Sequence, residues 1–472
     1  MKKLLFYYLG GLVLLLAAFA CHDDDDDDDV DVPGTVLATN KWIKENMELY
    51  YYWNDELPRI DQTRESDPEK YFQRLLYKDD KWSWITDDYA SLQADYDGEP
   101  VTMGYDPTFY TFSDEKSVFM VVNYVYPQSA AADAGLKRGD IILSINQTDL
   151  DTSNYYDLFS GKVYSVQLGE AVLQGQGVTI YQTDVSLDLT ARITVTDPAI
   201  SYRVIDTLGY KVGYLAYVEF VAGDNNGFLS TLDQIFNAFK SEGISDLVVD
   251  LRYNPGGDKT AAGHLASVIA PAAIVNARDV MVNLKYNDEL EAYLQEEYPE
   301  ELTYRFSKLA ANINLQRVYF LTTRATASAS ELVITGLDPY MEVVQIGEAT
   351  YGKYGGAWVL PDDDEKWAVV PVVMKYSNAN GYTDFAEGLI PDFPMTDDVV
   401  FSVPFGDTAD PMIKRAIEDI AGIPQSVATR SESDFQKMFK KLIPENKEVN
   451  RRRNLYVPVT GDMRCFMQKA NH

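Results

Sequence analysis

The sequence predicts a multidomain α/β protein in which a small helical part and a β-rich part precede the α/β part. Three observations carry this. At 472 residues the chain is too long for one compact core. From residue 200 onward, strand-like apolar runs alternate with helix-periodic ones, the order that builds a layered α/β sheet. Before that, residues 37–98 show helical periodicity, and residues 99–193 alternate in β fashion.

Composition excludes several functions. The net charge of −32, from 41 Lys+Arg against 73 Asp+Glu, repels nucleic acid, so no nucleic-acid partner is expected. The three histidines are His22, His264 and His472. Two lie near chain ends, which leaves only His264 for a Ser-His-Asp site and nearly excludes histidine-based metal centres. On the helix that follows "NPGG", His264 reads as a buried structural residue.

The first residues have the layout of a secretory signal, with Lys2 and Lys3 ahead of an apolar run from Leu4 to Ala20. "AAFAC" resembles the lipobox of bacterial lipoproteins. That resemblance implies a signal peptide over 1–20 and a lipidated Cys21 that anchors the chain to a membrane. Asp23 to Asp29 follow, and an acidic run there resembles the surface-export signal of some Gram-negative lipoproteins, which implies an outer-membrane, surface-exposed protein. Physically, residues 21–36 form a self-repelling tether. With Cys21 lipidated, Cys465 has no partner in the chain, so stability rests on packed cores.

In the helical part, Trp42, Ile43, Met47, Tyr50, Tyr51 and Trp53 form an amphipathic stripe that reads as core, and Tyr71, Phe72, Leu75 and Leu76 form a second. In the β-rich part, Ser129 to Ala134 is a short helix stopped by Gly135, "KRGD" is a turn, and Ile141 to Ile145 is a buried strand. This order in "AGLKRGDIILSIN" resembles PDZ domains, in which a chain terminus adds as a strand to a groove between strand and helix. Gly104 and Tyr105, in "TMGYDP", fall where such domains place their carboxylate-binding loop.

The α/β part spans 194–424. "GYLAYVEF" is a strand; Phe228, Leu232, Ile235, Phe236 and Phe239 make one helical face; "DLVVDL" is a buried strand. Beyond it, Phe435, Met438, Phe439 and Leu442 have the spacing of a docked helix, followed by the basic "NRRRN", so 425–472 reads as a helix and tail.

The chemistry concentrates at "TASASE", residues 326–331, between a strand-like run and a helix-like one. A serine there lies in the field of a helix N-terminus, with unpaired backbone N–H groups beside it. With histidine scarce, its base would be a desolvated lysine. Lys353 in "GEATYGKYGG" qualifies: 25 residues separate it from Ser328, enough for a helix, a turn and a strand to return to the same edge. Gly256 and Gly257, just after a strand's carboxyl end in "DLRYNPGG", offer backbone N–H groups that can join that of Ala329 around an oxyanion. Ser330 and Glu331 read as first-turn residues, one packing or capping, the other an acid favoured by the dipole.

"DLRYNPGG", "TASASE", "GEATYGK" and "EGLIPD" occur in the order found in S41 peptidases, the C-terminal processing proteases, which the chain resembles over about residues 37–424. The resemblance implies a ClpP/crotonase-like catalytic domain and a serine endopeptidase acting on protein or peptide substrates without metal or organic cofactor. It maps the nucleophile onto Ser328, the lysine base onto Lys353, and the oxyanion donors onto the backbones of Gly256 and Ala329. One position departs: Ala357 stands where many members carry a glutamine thought to orient the lysine. Two rival classes follow, an inactive surface lipoprotein that binds peptide C-termini and an aromatic-rich glycan binder.

Overall fold

The computed structural model describes residues 32–174, 177–424, 439–442 and 455–456. The expected signal peptide, Cys21 and the aspartate run lie outside these residues. Among the described residues no helix is long and apolar enough to cross a membrane.

The first helices are α1 (Gly34–Tyr50), α2 (Pro68–Leu75) and α3 (Tyr89–Asp97). Asp67 starts α2 by accepting the N–H groups of Glu69 and Lys70, with Pro68 at the first helical position, where its missing N–H costs nothing. Ile43, Met47, Tyr50, Tyr71 and Phe72 are buried in the same apolar cluster as Phe236, Leu265 and Leu332 of the α/β part. The N-terminal helices therefore share a core with the α/β part, and Trp84–Thr86 pairs with Ala368–Val370 across the same boundary.

The PDZ-like unit contains β1 (Tyr105–Thr111), β2 (Val118–Val125), α4 (Ala130–Ala134), β3 (Ile141–Ile145), α5 (Tyr155–Phe159), β4 (Val163–Gln174) and β5 (Gly177–Thr190). Its sheet runs in the order β1-β2-β3-β4-β5, antiparallel throughout. Ser129 Oγ accepts the N–H of Ala132 at 3.1 Å to cap α4, worth about 1 kcal/mol, and Gly135 ends it with φ at 89°. Met120, Ile142 and Val166 fill one face, against α5.

The α/β part begins with β6 (Ala199–Thr207) and β7 (Tyr210–Tyr217), followed by α6 (Gly227–Glu242), β8 (Asp246–Asp250), α7 (Lys259–Ile269), β9 (Val280–Tyr286), β10 (Arg317–Thr322), α8 (Ala329–Leu337), β11 (Glu342–Gly347), β12 (Gly355–Ala357), β13 (Val372–Asn378) and α9 (Pro411–Ile420). The main sheet has the order β6-β7-β8-β10-β11 and ends on Phe393–Pro394. Its first pair is antiparallel and the rest are parallel. A second sheet sets β9 beside β13 and β13 beside β12.

The C-terminal region contributes β14 (Lys440–Leu442), antiparallel to β1, and β15 (Leu455–Tyr456), parallel to β12. The spacing of Phe435, Met438, Phe439 and Leu442 predicts a helix; at 440–442 the chain is extended instead. An open sheet edge offers backbone partners that outweigh a local periodicity only two apolar turns long. Residues 425–438 lie outside the described residues.

Candidate active site

Ser328 is the residue before α8, at φ 60° and ψ −108°, a conformation that costs a non-glycine residue about 1–3 kcal/mol. It persists because the corner is tied down on both sides. Thr326 Oγ1 donates to Leu251 O at 2.7 Å, and the Ala327 N–H and Ser330 Oγ both donate to Asn254 O, each at 3.1 Å. "TASASE" is thus stitched to "DLRYNPGG" by the two polar side chains on either side of Ser328. Ser328 Oγ itself is fully enclosed and makes no hydrogen bond among the described residues.

Asn254 also shapes the opposite wall. Its Nδ2 donates to Tyr217 O at 2.9 Å, and its Oδ1 accepts the Gly256 N–H at 2.9 Å. Gly256 has φ at 114°, and a Cβ there would lie 2.8 Å from Ser328 Cβ and 3.1 Å from Ala329 N. Only glycine fits this approach. Gly256 and Ala329 therefore both lie against Ser328, with the Gly256 N–H engaged by the turn's own asparagine. Ala329, at the start of α8, lies among the N–H groups that lack an intrahelical acceptor.

Lys353 is fully buried on the loop between β11 and β12. Glu331 holds that loop against Ser328. Its Oε2 accepts the N–H groups of Ser328 at 2.6 Å and Lys353 at 2.9 Å; its Oε1 accepts Thr350 Oγ1 at 2.5 Å and the Gly352 N–H at 2.7 Å. Tyr376 Oη donates to both Ser328 O and Lys353 O at 3.3 Å. The nucleophile and base candidates are thereby joined twice, once through a carboxylate and once through a phenol.

"EGLIPD" supports this loop from outside. The Leu389 N–H donates to Thr350 Oγ1 at 2.7 Å, and a Cβ on Gly352 would meet Gly388 N at 2.8 Å. Four motifs that lie far apart in the chain converge here. Ala357, two residues into β12 from its start, is fully buried among apolar side chains that include Trp84 and Leu92. Glu331 and Tyr376 hold the Lys353 backbone, one through its N–H and the other through its carbonyl.

Burial pushes the Glu331 carboxyl up, from an ordinary 4.5 to about 7, although the Thr350 hydroxyl and the three backbone N–H groups pull it back. The sequence signal for this residue is the spacing of Ser328 and Glu331, that of a capping box. The reading of Glu331 as a dipole acid misses its span across two loops. Tyr376 carries no local signal, because it is one alternate residue of a strand.

Behind "NPGG", the Arg252 guanidinium pairs with Asp250 at 2.6 Å, Asp397 at 2.8 Å and Asp410 at 2.9 Å, nearly all of it buried. Tyr253 Oη donates to Asp397 and accepts from Arg138 Nη1 of the PDZ-like unit at 2.9 Å. His264 Nε2 bonds Asp233 Oδ1 at 2.8 Å, tying α7 to α6. Among the described residues no cluster of acidic, histidine or cysteine side chains is arranged to hold a metal.

Gly104 and Tyr105 lie in the PDZ-like unit, apart from this cluster. Gly104 has φ at 80°, its N–H donates to Thr102 Oγ1 at 3.1 Å, and its carbonyl accepts the Tyr126 N–H at 2.8 Å. Strand alternation turns the Tyr105 side chain into the core, where its hydroxyl meets that of Tyr164 at 2.9 Å. A peptide in the groove would meet Tyr105 through its backbone.

The chain matches the model of peptidase family S41 over residues 211–395, that of the peptidase S41 N-terminal domain over 38–84, and that of a PDZ domain over 121–166. It is similar to the chloroplastic carboxyl-terminal-processing peptidase 1 of Arabidopsis thaliana, 27% identical over 56% of this chain and 50% of the relative. A carboxyl-terminal-processing protease of Picosynechococcus sp. is 24% identical over 80% of this chain and 84% of its own. The chain thus spans half the length of the plant relative and most of the cyanobacterial one. A crystal structure of a Bacteroides fragilis protein described as an S41 protease superposes with a TM-score of 0.69 at 29% identity, over 81% of this chain and 98% of that one.

These matches correct one expectation. The fold is that of a multidomain α/β S41 peptidase with a PDZ domain, and the ClpP/crotonase-like catalytic domain expected from the resemblance is not what the chain forms. Short strand–turn–helix motifs are compatible with several strand orders. The order of the whole sheet and the shared core with α1 and α2 decide the fold, and no single motif encodes either.

Proposed function

Because the chain matches the model of peptidase family S41 over residues 211–395, we propose that it is a serine endopeptidase of that family in which Ser328 is the nucleophile and Lys353 its base, with exposed C-termini captured by the PDZ domain. The observation that carries this is the joint grip of Glu331 and Tyr376 on the backbones of Ser328 and Lys353. The burial of both residues, and the absence of a hydrogen bond at Ser328 Oγ among the described residues, support this reading.

In this reading neutral Lys353 takes the proton from Ser328 Oγ as the oxygen attacks a peptide carbonyl. The Ala329 N–H and the Gly256 N–H, the latter shared with Asn254 Oδ1, hold the tetrahedral oxyanion. Lys353 then returns the proton to the leaving amine, and water hydrolyses the acyl-enzyme. Ser328→Ala and Lys353→Ala should each abolish cleavage of an unfolded protein with a free apolar C-terminus, followed by mass spectrometry at matched folding. If both variants cut like the wild type, these assignments fall. If no chain cuts several substrates yet all bind peptide, the peptide-binding lipoprotein replaces the protease.

The finer reading adds a lipid anchor on Cys21 and an outer-membrane, surface-exposed location in a Gram-negative envelope, motivated by "AAFAC" and Asp23–Asp29. Cys21→Ser should move the protein from the membrane to the soluble fraction. Retention in the membrane would remove the anchor.

A further inference from the structure

We infer that residues 439–442 are an internal ligand of the PDZ peptide groove, which a substrate must displace before it can be captured. The inference deepens the PDZ-capture part of the proposed function. A PDZ domain takes its ligand as an added strand along the edge that lies next to a helix. Here that edge is β1, on the side away from β2, and it is already paired. Lys440, Lys441 and Leu442 lie antiparallel to Thr111, Tyr110 and Phe109, and Thr111 Oγ1 reaches Lys440 O at 3.5 Å. The direction of β14 carries the chain toward the Gly104 loop, as a captured C-terminus would run.

The side chains fit as a ligand's would. Leu442 packs into the cluster formed by Phe109, Tyr155, Leu158 and Phe159, the wall shared by β1 and α5. Phe109 itself meets Tyr155 and Phe159 edge-on at 5.0 and 5.5 Å. Phe439 is buried edge-on against Phe119 at 5.2 Å and Phe112 at 5.7 Å. Lys441 lies in the field of the Glu348 and Asp397 carboxylates. Phe439 and Lys441 line, with Tyr110, Tyr253, Arg324 and Glu348, a cavity of about 550 Å³.

A second contact points the same way. Leu455 and Tyr456 run parallel to Gly356 and Ala357, on the strand that begins two residues after Lys353. The C-terminal region thus occupies both an edge suited to capture and an edge beside the proposed base. Its tether gives it an effective concentration on the order of mM, so a weak intrinsic affinity suffices to compete with a free peptide.

The test compares the full chain with Phe439→Ala/Leu442→Asp and, as a surface change that preserves packing, with Lys441→Glu. The probe is a fluorescein-labelled peptide of sequence MFKKLIP, copied from residues 438–444, followed by anisotropy; amide exchange of residues 107–111 is measured alongside. The double variant should bind the peptide about tenfold more tightly than the wild type, with Lys441→Glu in between. Its 107–111 amides should exchange faster and be protected again by the peptide. Equal binding together with equal protection in all three chains overturns the inference. If binding and protection differ as expected while no chain cleaves protein, the groove assignment stands and the protease reading falls. Equal binding and protection with normal cleavage removes the internal ligand and leaves the protease standing.

Discussion

At Glu331 desolvation and hydrogen bonding pull in opposite directions, and the balance is measurable. The ordinary glutamate value of 4.5 applies in the unfolded chain, whereas the folded group titrates near 7. Between these values the folded state holds a proton that the unfolded state has released. Stability therefore falls as pH rises from 4.5 toward 7 and levels off above it, by up to about 3 kcal/mol for this group. Urea unfolding at pH 5 and pH 8 should show that slope in the wild type, and Glu331→Gln should remove the part due to this residue. Catalysis should run the other way. Four donors converge on the two oxygens, an arrangement that suits the ionised acceptor, so kcat should rise through pH 7. A glutamine turns an –NH₂ toward those donors and leaves at least one buried N–H unpaired, at about 1–3 kcal/mol. The expected outcome is a ten- to hundredfold loss in kcat with KM little changed. A variant with wild-type kcat would show that the carboxylate clamp does not set the geometry of Ser328 and Lys353.

At the scale of elements, the strand–turn–helix units are legible in the sequence because each is written in local signals. The apolar run before "NPGG", the Ser129 cap with its Gly135 stop, and the helical face from Phe228 to Phe239 all form where periodicity places them. What brings the turns together is not local. Asn254 reaches Ala327 and Ser330 only once β8 and β10 are adjacent in the sheet, and Arg252 meets Asp397 and Asp410 only after the chain has folded back. The C-terminal strand is illegible for the same reason, since its partner is an edge more than 300 residues away. Arg252 offers the sharpest test at this scale. Burial works to raise Asp397, yet the Arg252 and Arg138 guanidiniums hold it below the ordinary carboxylate range. That contribution is present at neutral pH and is lost as pH falls through the lowered value. Arg252→Met strands three buried carboxylates without their cation, which should cost about 3–5 kcal/mol in urea unfolding at pH 7. A loss below about 1 kcal/mol would mean that water or a rearranged Arg138 satisfies those groups.

Across the whole molecule, the PDZ domain meets the α/β part through apolar packing, with Val399 and Val400 in one buried cluster with Phe119 and Val121, and through a polar contact at Arg138. Arg138, in the "KRGD" turn, donates to Asn123 O at 2.6 Å within its own domain and to Tyr253 Oη at 2.9 Å across the boundary. Its guanidinium lies 4.4 Å from the centre of the Phe405 ring, a cation–π geometry that only a planar, always-charged group holds while also donating sideways. Tyr253 precedes Asn254, whose side chain orients Gly256 beside Ser328. A shift of the PDZ domain would therefore reach the proposed oxyanion wall through a few neighbouring residues of one turn. Arg138→Ala should leave the catalytic core folded, since the Arg252 cluster retains all its acidic partners. It should lower kcat about tenfold, equivalent to about 1.4 kcal/mol, the scale of one hydrogen bond to a charged group. Arg138→Lys keeps the charge but loses the fork, and should recover only part of that loss. Steady-state cleavage by the two variants, read beside their unfolding midpoints, separates positioning from stability. If activity falls only in proportion to the folded fraction, Arg138 serves the domain interface alone; if kcat falls at unchanged stability, it positions the turn that holds the oxyanion.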